Sequence, residues 1–487
     1  MKRRQFLGTA LVGASSLLSS CGGGDDTGTP LADGTLPEGA PLRALDVLSN
    51  ESTATGEFRA TLTAAPGPAS LVAGRTTSVL LYNGMSPGPQ IELREGQHVR
   101  IRLDNGLAED TTIHWHGLPV PPDQDGNPMD PVAAGTSRYY EYDIPVGTAA
   151  TYWYHPHPHD RTATQVIRGL AAPLIVRAND DPLAHLPEVT LFITGLRLDA
   201  ESAISPDDAV DWNVGRQREV LMVNGGRMPV HTVTPGTTQR WRIVNATAAR
   251  HFRLALDGHT LTLVGSDGGL LGAPIANLPE ILVGPAQRIE VIVNVNATPG
   301  ASFVLRALKF EADFLGQGSY ADESLLTLAT STAPAVAPSL VPATLRALRD
   351  LGDSTAQQRV VLSAIEGLCT RNGSTIAFLI NGEIFDPARV DLVTTVGRVE
   401  LWEIVNNTGM AHPFHVHGIQ FQLVSRKISN VVTPAPYLAW IDTVVVPSHQ
   451  TATIKVQQLQ PGKRMFHCHI LEHEDACMMA ILEVRPA

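Results

Sequence analysis

The sequence predicts an all-β protein of three consecutive Greek-key β-sandwich domains, and three observations carry that prediction. The chain has 487 residues, and roughly 150 residues per domain makes that about three domains. One pattern recurs three times: Asn-Gly, then a lone Gly, then an alternating strand that ends in Asn. The apolar runs are short and rich in Val, Ile, Leu and Thr, punctuated by 42 Gly and 35 Pro, as short strands with many turns require. Long helical patterns are few; Pro342 to Leu351 is one short candidate.

Charge and composition narrow the class. Lys and Arg number 36 against 48 Asp and Glu, a net charge of −12, so nucleic acid is not an expected partner. A hydrophobic content of 43% excludes a disordered chain and a polytopic membrane protein. Four cysteines are too few for a disulfide scaffold but leave a metal site or a reactive thiol open.

Residues 1–21 read as a targeting segment: Lys2-Arg3-Arg4, then Gln5-Phe6-Leu7, then a weakly apolar stretch to Leu18. Arg3-Arg4 ahead of Phe6-Leu7 resembles a twin-arginine export signal. Leu18-Ser19-Ser20-Cys21-Gly22 resembles a bacterial lipoprotein cleavage box, in which Cys21 becomes the lipidated N-terminus. The expectation is an exported protein, periplasmic or at the cell surface, touching a membrane only through that lipid. Residues 22–44 are rich in Gly, Asp, Thr and Pro and predict a flexible tether.

The first repeat comprises Asn83-Gly84, Gly96 and the strand Val99 to Leu103 closing at Asn105, and belongs to a domain over 45–180. The second, in 181–340, has Asn224-Gly225, Gly236 and Trp241 to Val244 before Asn245. The third, in 341–487, has Asn381-Gly382, Gly397 and Leu401 to Val405 before Asn406. Boundaries fall near Asp180-Asp181-Pro182 and in the Ala-, Pro-, Ser- and Thr-rich stretch Ser331 to Pro342. Ala172 to Val176, Ile289 to Val295, Thr443 to Val446 and Thr451 to Val456 are further strand-like runs.

Ten of the 17 histidines crowd into four segments: His114-Trp115-His116, His155-Pro156-His157, His412-Pro413-Phe414-His415-Val416-His417, and His467-Cys468-His469 with His473. In a strand, residues two apart share a face, so each His-X-His pair presents two imidazoles to one side. Imidazole suits Cu, Zn, Fe and Ni, so the pairs alone leave the metal open. The last segment narrows it. Cys468, His473 and Met478 lie at C-x4-H-x4-M spacing, the thiolate, imidazole and weak thioether of a blue-copper electron-transfer centre. His412 is the candidate second imidazole. It faces opposite to His415 and His417, as Cys468 faces opposite to His467 and His469, so strand parity predicts two separate sites.

From about Leu45 to Pro486 these segments resemble the copper signatures of the multicopper oxidases, the family of laccases, bilirubin oxidases and bacterial cuprous oxidases. The resemblance implies three cupredoxin-like domains and four copper ions: one type 1, one type 2 and two type 3. It implies O2 and a small-molecule or metal-ion electron donor as partners, and a monomer is the expectation. Carried over by position, type 1 falls on His412, Cys468, His473 and axial Met478, and type 2 on His114 and His415. The type 3 pair falls on His116, His155, His157, His417, His467 and His469. Asp125 and Glu474 stand where the cuprous-oxidase-like branch places acids that deliver protons to bound oxygen, a task for general acids.

The sequence also departs from that branch. Its cuprous oxidases carry a Met-rich insertion in the third domain, whereas Pro342 to Phe378 contains no Met. They place an acid four residues before the first His of the third signature, where this chain has Thr408. In domain 2, His251 follows Asn245 by six residues, as His412 follows Asn406, but Leu254 and Leu256 replace the next two histidines and Cys is absent. Domain 2 therefore reads as a copper-free spacer, with His251 a core or surface residue. His98, His159, His185, His231, His259 and His449 receive the same reading. Cys369 and Cys477 share a domain and form either a disulfide, in an exported protein, or two buried thiols. Three functions compete: a laccase-like oxidase of phenols, aromatic amines or low-valent metal ions; copper tolerance by oxidising or sequestering Cu(I); and a non-catalytic scaffold of the same fold.

Overall fold

The computed structural model describes residues 36–311, 319–367 and 374–487. The targeting segment, Cys21 and Cys369 lie outside these residues, and with Cys369 the question of the disulfide.

Each Asn-Gly pair closes a tight hairpin. Asn83, Asn224 and Asn381 have φ of 50°, 51° and 56°, and the following glycines 76°, 80° and 80°, the two positive-φ centres that a primed turn demands. Each Asn side chain also accepts a backbone N–H from an adjoining strand, from Thr63, Phe192 and Val361 at 2.6–2.8 Å. The closing asparagines do a second job. Asn105, Asn245 and Asn406 are buried and donate to the carbonyls of Val132, Val283 and Val446. Their oxygens take the N–H of the residue two positions on. The repeat is thus a turn and a pinned loop, built three times.

In domain 1, Glu57–Ala69 pairs parallel with His98–Asn105, within a four-stranded sheet completed by Thr77–Tyr82 and Ser137–Asp143. A second four-stranded sheet holds Ile91–Arg94, Ala172–Arg177, Ala150–His155 and His114–His116. Leu62, Ile101 and Tyr140 of one sheet meet Trp115, Tyr152 and Leu174 of the other in one core. Domain 2 repeats the parallel pair as Glu188–Leu196 with Thr238–Asn245, in sheets of seven and five strands. Domain 3 repeats it as Ala356–Glu366 with Val399–Asn406, in sheets of six and five. Among the described residues the α-helices are short: Thr162–Ile167, Ala209–Val214 and Leu471–Asp475.

Two segments differ from their sequence reading. Pro342 to Leu351 forms no helix. Leu345 and Leu351 are buried, Leu345 N bonds Gly272 O, and Leu351 N bonds Gln422 Oε1. These two N–H groups are satisfied by domain 2 and by a strand of domain 3, which removes the reason to coil. The described end of the expected tether is also attached. Leu36 is buried, and the N–H groups of Gly39 and Leu42 bond the carbonyls of Arg227 and Val230 in domain 2.

A buried ion network in domain 2 meets domain 1. Arg240 pairs with Asp181 and Glu290 at 2.5 Å, and Arg242 pairs with Glu188 at 2.7 Å and with Glu290. Thr151 of domain 1 donates to Glu290 at 2.8 Å. Arg240 and Arg242 hold the Glu290 carboxyl down at about 2 against the cost of burial.

Candidate metal centres

Four short strand segments bring the paired histidines together between domains 1 and 3. His114–His116 pairs antiparallel with Ala150–His155, setting His114 opposite His155. His412–Val416 pairs with Gly462–Cys468, setting His415 opposite His467 and Phe414 opposite Cys468. Alternation then does what parity predicts. His415 and His467 turn to one face, while Cys468 and His412 turn into the domain 3 core.

On the shared face the donor atoms form overlapping groups: His114, His116 and His155; His114, His415 and His417; His157, His417 and His467. His469 completes the wall, its ring 4.8 Å from that of His116 and 5.4 Å from that of His155. His114, His116, His155, His157, His415, His417, His467 and His469 are all buried, at 0% exposure.

The cluster fits metal ions. His114 Nε2, His116 Nδ1, His155 Nε2, His415 Nε2 and both His469 ring nitrogens are buried without a hydrogen-bond partner, a costly state unless something binds there. The Nε2 atoms of His157 and His417 approach His467 Nε2 at 3.3 and 3.0 Å. Burial holds His116, His155, His157, His415, His417 and His469 well below the usual histidine value, and His467 at about 3. They are neutral at physiological pH, with lone pairs free to ligate.

Partners behind the rings choose which nitrogen faces inward. His114 Nδ1 meets the Asp125 carbonyl at 2.9 Å, and His417 Nδ1 meets Asp125 Oδ2 at 3.0 Å. Asp125 is fully buried and so braces two ligands from two domains. Gly126, at φ +73°, makes this fit possible, because a Cβ there would fall on the Ile113 carbonyl. Glu474 is buried with its two oxygens 3.3 Å from His157 Nε2 and from His467 Nδ1. Desolvation, with Asp475 beside it, pushes its carboxyl well above the usual range.

The second site lies inside domain 3. Cys468 Sγ is 3.3 Å from His412 Nδ1 and 3.9 Å from His473 Nδ1, and Met478 is buried in the same apolar cluster. His412 Nε2 meets Thr408 Oγ1 at 2.7 Å, so the residue found in place of an acid orients the imidazole instead. Burial pushes the Cys468 thiol up and both imidazoles down, His473 to about 3. A soft metal therefore displaces a proton from the thiol on binding. Thiolate plus two imidazoles with a thioether nearby is the blue-copper donor set.

Several residues at these sites carry no spacing signal in the sequence. Asp442 Oδ1 lies 3.1 Å from His116 Nε2, and its carbonyl accepts from His415 Nδ1 at 2.8 Å. Gly117 leaves room for that carboxylate, since a Cβ there would fall on Asp442 Oδ2. Asn213 of domain 2 places its carbonyl 3.4 Å from His473 Nε2, and the Phe378 ring stacks on His473 at 3.7 Å. His251 belongs to neither donor group and is stacked on Phe310 at 5.0 Å.

The chain matches known proteins over most of its length. Multicopper oxidase family models match residues 64–181, 190–321 and 355–487. The chain is similar to the structure of a multicopper oxidase from Campylobacter jejuni, described as a metallo-oxidase: 37% identity, 94% of this chain and 98% of that one, TM-score 0.88. It is 29% identical to the multicopper oxidase mco of Staphylococcus aureus over 90% of this chain and 91% of that protein. It is 26% identical to a laccase of Bacillus subtilis over 83% and 89%.

Proposed function

The chain belongs to the multicopper oxidase family, and we propose that it favours small donors, low-valent metal ions ahead of bulky phenols. With copper bound, such an enzyme takes one electron from each of four donors and, with four protons, reduces O2 to two waters. We assign type 1 to His412, Cys468, His473 and Met478, type 2 to His114 and His415, and type 3 to His116, His155, His157, His417, His467 and His469. The supporting observation is the convergence of nine imidazoles and the Cys468 thiol in two buried groups, with His469 and Met478 buried beside them. Cys468 is covalently flanked by His467 and His469, so the two groups are joined by a few bonds. Full retention of donors argues against the scaffold reading.

The donor preference rests on His473. It is fully buried, its Nε2 edge covered by Asn213 in the Ala209–Val214 helix and one ring face by Phe378. An aromatic ring cannot stack directly against that edge, whereas a small ion needs only to approach the cover. Asp125 and Glu474 hold their carboxyl groups 3.0–3.3 Å from ring nitrogens of the cluster. That placement suits them to pass protons toward the reduced oxygen. One chain supplies every donor atom, which supports a monomer. Export by the twin-arginine route with lipid attachment at Cys21 rests on the sequence alone; exchanging Arg3 and Arg4 for Lys should strand precursor in the cytoplasm, and unchanged export refutes that route.

Oxygen uptake tests the function. Copper-loaded protein should consume O2 with Cu(I), Fe(II) and a substituted phenol, and copper-free protein should not. A higher kcat/KM for the phenol than for the ions overturns the donor preference. Four bound coppers without uptake from any donor would leave a copper store.

A further inference from the structure

Domain 2 holds no copper donor in the proposed assignment, yet one of its side chains reaches the cluster. Arg288, which opens the Arg288–Asn294 strand, is fully buried and uses all five of its N–H groups. Nε donates to Thr151 O of domain 1 at 2.9 Å. Nη1 donates to Ala286 O at 3.1 Å and to Asp442 Oδ1 at 2.7 Å. Nη2 donates to Asp267 O at 3.1 Å and to Asp442 Oδ2 at 2.5 Å. Asp267 closes the frame: its Oδ1 accepts from Arg288 N at 2.7 Å and its Oδ2 from Asp442 N at 3.2 Å.

A guanidinium is a planar fork that cannot shed its charge, and a bidentate pair fixes direction as well as distance. With every N–H committed, the Asp442 carboxylate has one orientation. In it Oδ1 faces His116 Nε2 at 3.1 Å and accepts from Thr443 Oγ1 at 3.0 Å. The same residue's carbonyl faces His415 Nδ1 at 2.8 Å. Both rings are thereby held with the other nitrogen, His116 Nδ1 and His415 Nε2, unpartnered and turned to the cluster.

We propose that Arg288 is a positioning residue for copper, acting through Asp442 to fix His116 of domain 1 and His415 of domain 3, so that the ligand-free domain assembles the trinuclear site. Partners of this kind are worth 10–100-fold in metal affinity. The inference rests on His116 and His415 being copper ligands.

The test is Arg288→Lys, which keeps the charge but not the fork, beside Asp442→Asn, which keeps the volume. Copper-loaded proteins are titrated with a chelator, following copper per chain and the blue colour of type 1 together. Both variants should surrender the cluster coppers at 10–100-fold lower chelator concentration while their blue colour persists as in the parent. Arg240→Lys, in the neighbouring ion pairs but touching no ligand, should keep the parent's chelator profile even if it lowers the melting temperature. Parent-like chelator resistance in whichever of the two variants folds overturns the proposal. So does parallel loss of colour and cluster copper, which would mean a general loosening. A parent that fails to bind about four coppers refutes the ligand assignment instead.

Discussion

Domains 2 and 3 contain matching phrases, Asn245-Ala246-Thr247-Ala248-Ala249-Arg250-His251 and Asn406-Asn407-Thr408-Gly409-Met410-Ala411-His412. They fold alike at the asparagine and then slip by one residue: Asn406 Nδ2 donates to Met410 O, four residues on, and Asn245 Nδ2 to Arg250 O, five residues on. Each Asn oxygen takes the N–H and the hydroxyl of the Thr two residues on, and each His is buried. The slip shifts the strand that follows: His412 pairs with Val446, but in domain 2 Phe252, not His251, pairs with the matching Val283. In domain 3 Phe414 and His415 pair with Cys468 and His467. In domain 2 Arg253 and Leu254 pair with Leu308 and Ala307. Counted from His412 and Phe252, Leu254 matches Phe414 and Ala255 matches His415, so Ala307 stands at the register position of Cys468 and Arg306 at that of His467. His251 is left a neutral core residue against Phe310, held by burial at about 4. A local motif can repeat a histidine in sequence and still leave it one residue away from a ligand's place. Loop length and strand pairing decide.

The largest effect should come from exchanging the deciding residue. Cys468→Ser should abolish the blue colour and the oxidase activity, because a hydroxyl cannot replace the thiolate donor. The reverse exchange in domain 2, Ala307→Cys, should create no colour, since no described residue there plays the part of His473. Absorbance of copper-loaded protein reads both, and a blue Cys468→Ser would break the comparison outright.

Next comes the separation of the two sites within one molecule. Asp125→Asn should leave reduction of type 1 by a donor fast, while reoxidation by O2 slows by about 10²–10⁴-fold, the usual worth of a general acid. Stopped-flow measurement of each half-reaction distinguishes them. Equal slowing of both would place Asp125 in folding or copper loading, and no slowing would move the proton role to Glu474 or water.

A smaller effect should mark His251 itself. Its folded-state value of about 4 lies below the ordinary 6.5. Between those values the unfolded chain binds a proton that the folded chain refuses, so stability falls as pH drops from 6.5 to 4 and is unaffected above 6.5. The shift corresponds to about 3 kcal/mol. His251→Phe should remove that part of the pH dependence in urea unfolding, relative to the parent. Parallel pH profiles for the two proteins would show that His251 is not the neutral core residue described.

The subtlest change should be Met478→Leu. The axial thioether is weak, so the colour should persist while the type 1 potential rises. A redox titration monitored at the blue band measures it, and lost colour would make Met478 a strong ligand.

Much of this was legible in the chain itself. The three Asn-Gly turns and the three closing asparagines stand where the repeat puts them, because a positive-φ pair and a side chain that pins its own loop are short-range demands. The paired histidines share faces because alternation along a strand is a covalent fact. The split of His412 and Cys468 from their neighbours follows from the same alternation. The Pro342 to Leu351 pattern misled for the opposite reason, since Leu345 is buried against domain 2 rather than by a helix.

What the sequence by itself determined is therefore the donor inventory, its division into two faces and the domain that lacks it. Tertiary structure alone decided what stands behind the donors. Asp442 meets His116 across 326 positions, Arg288 meets Asp442 across 154, and Asn213 covers His473 across 260. No periodicity links such residues, because their meeting depends on how three separately formed sandwiches pack. Once packed, the interior excludes water, and a buried imidazole must take its second partner from whatever the neighbouring domain presents.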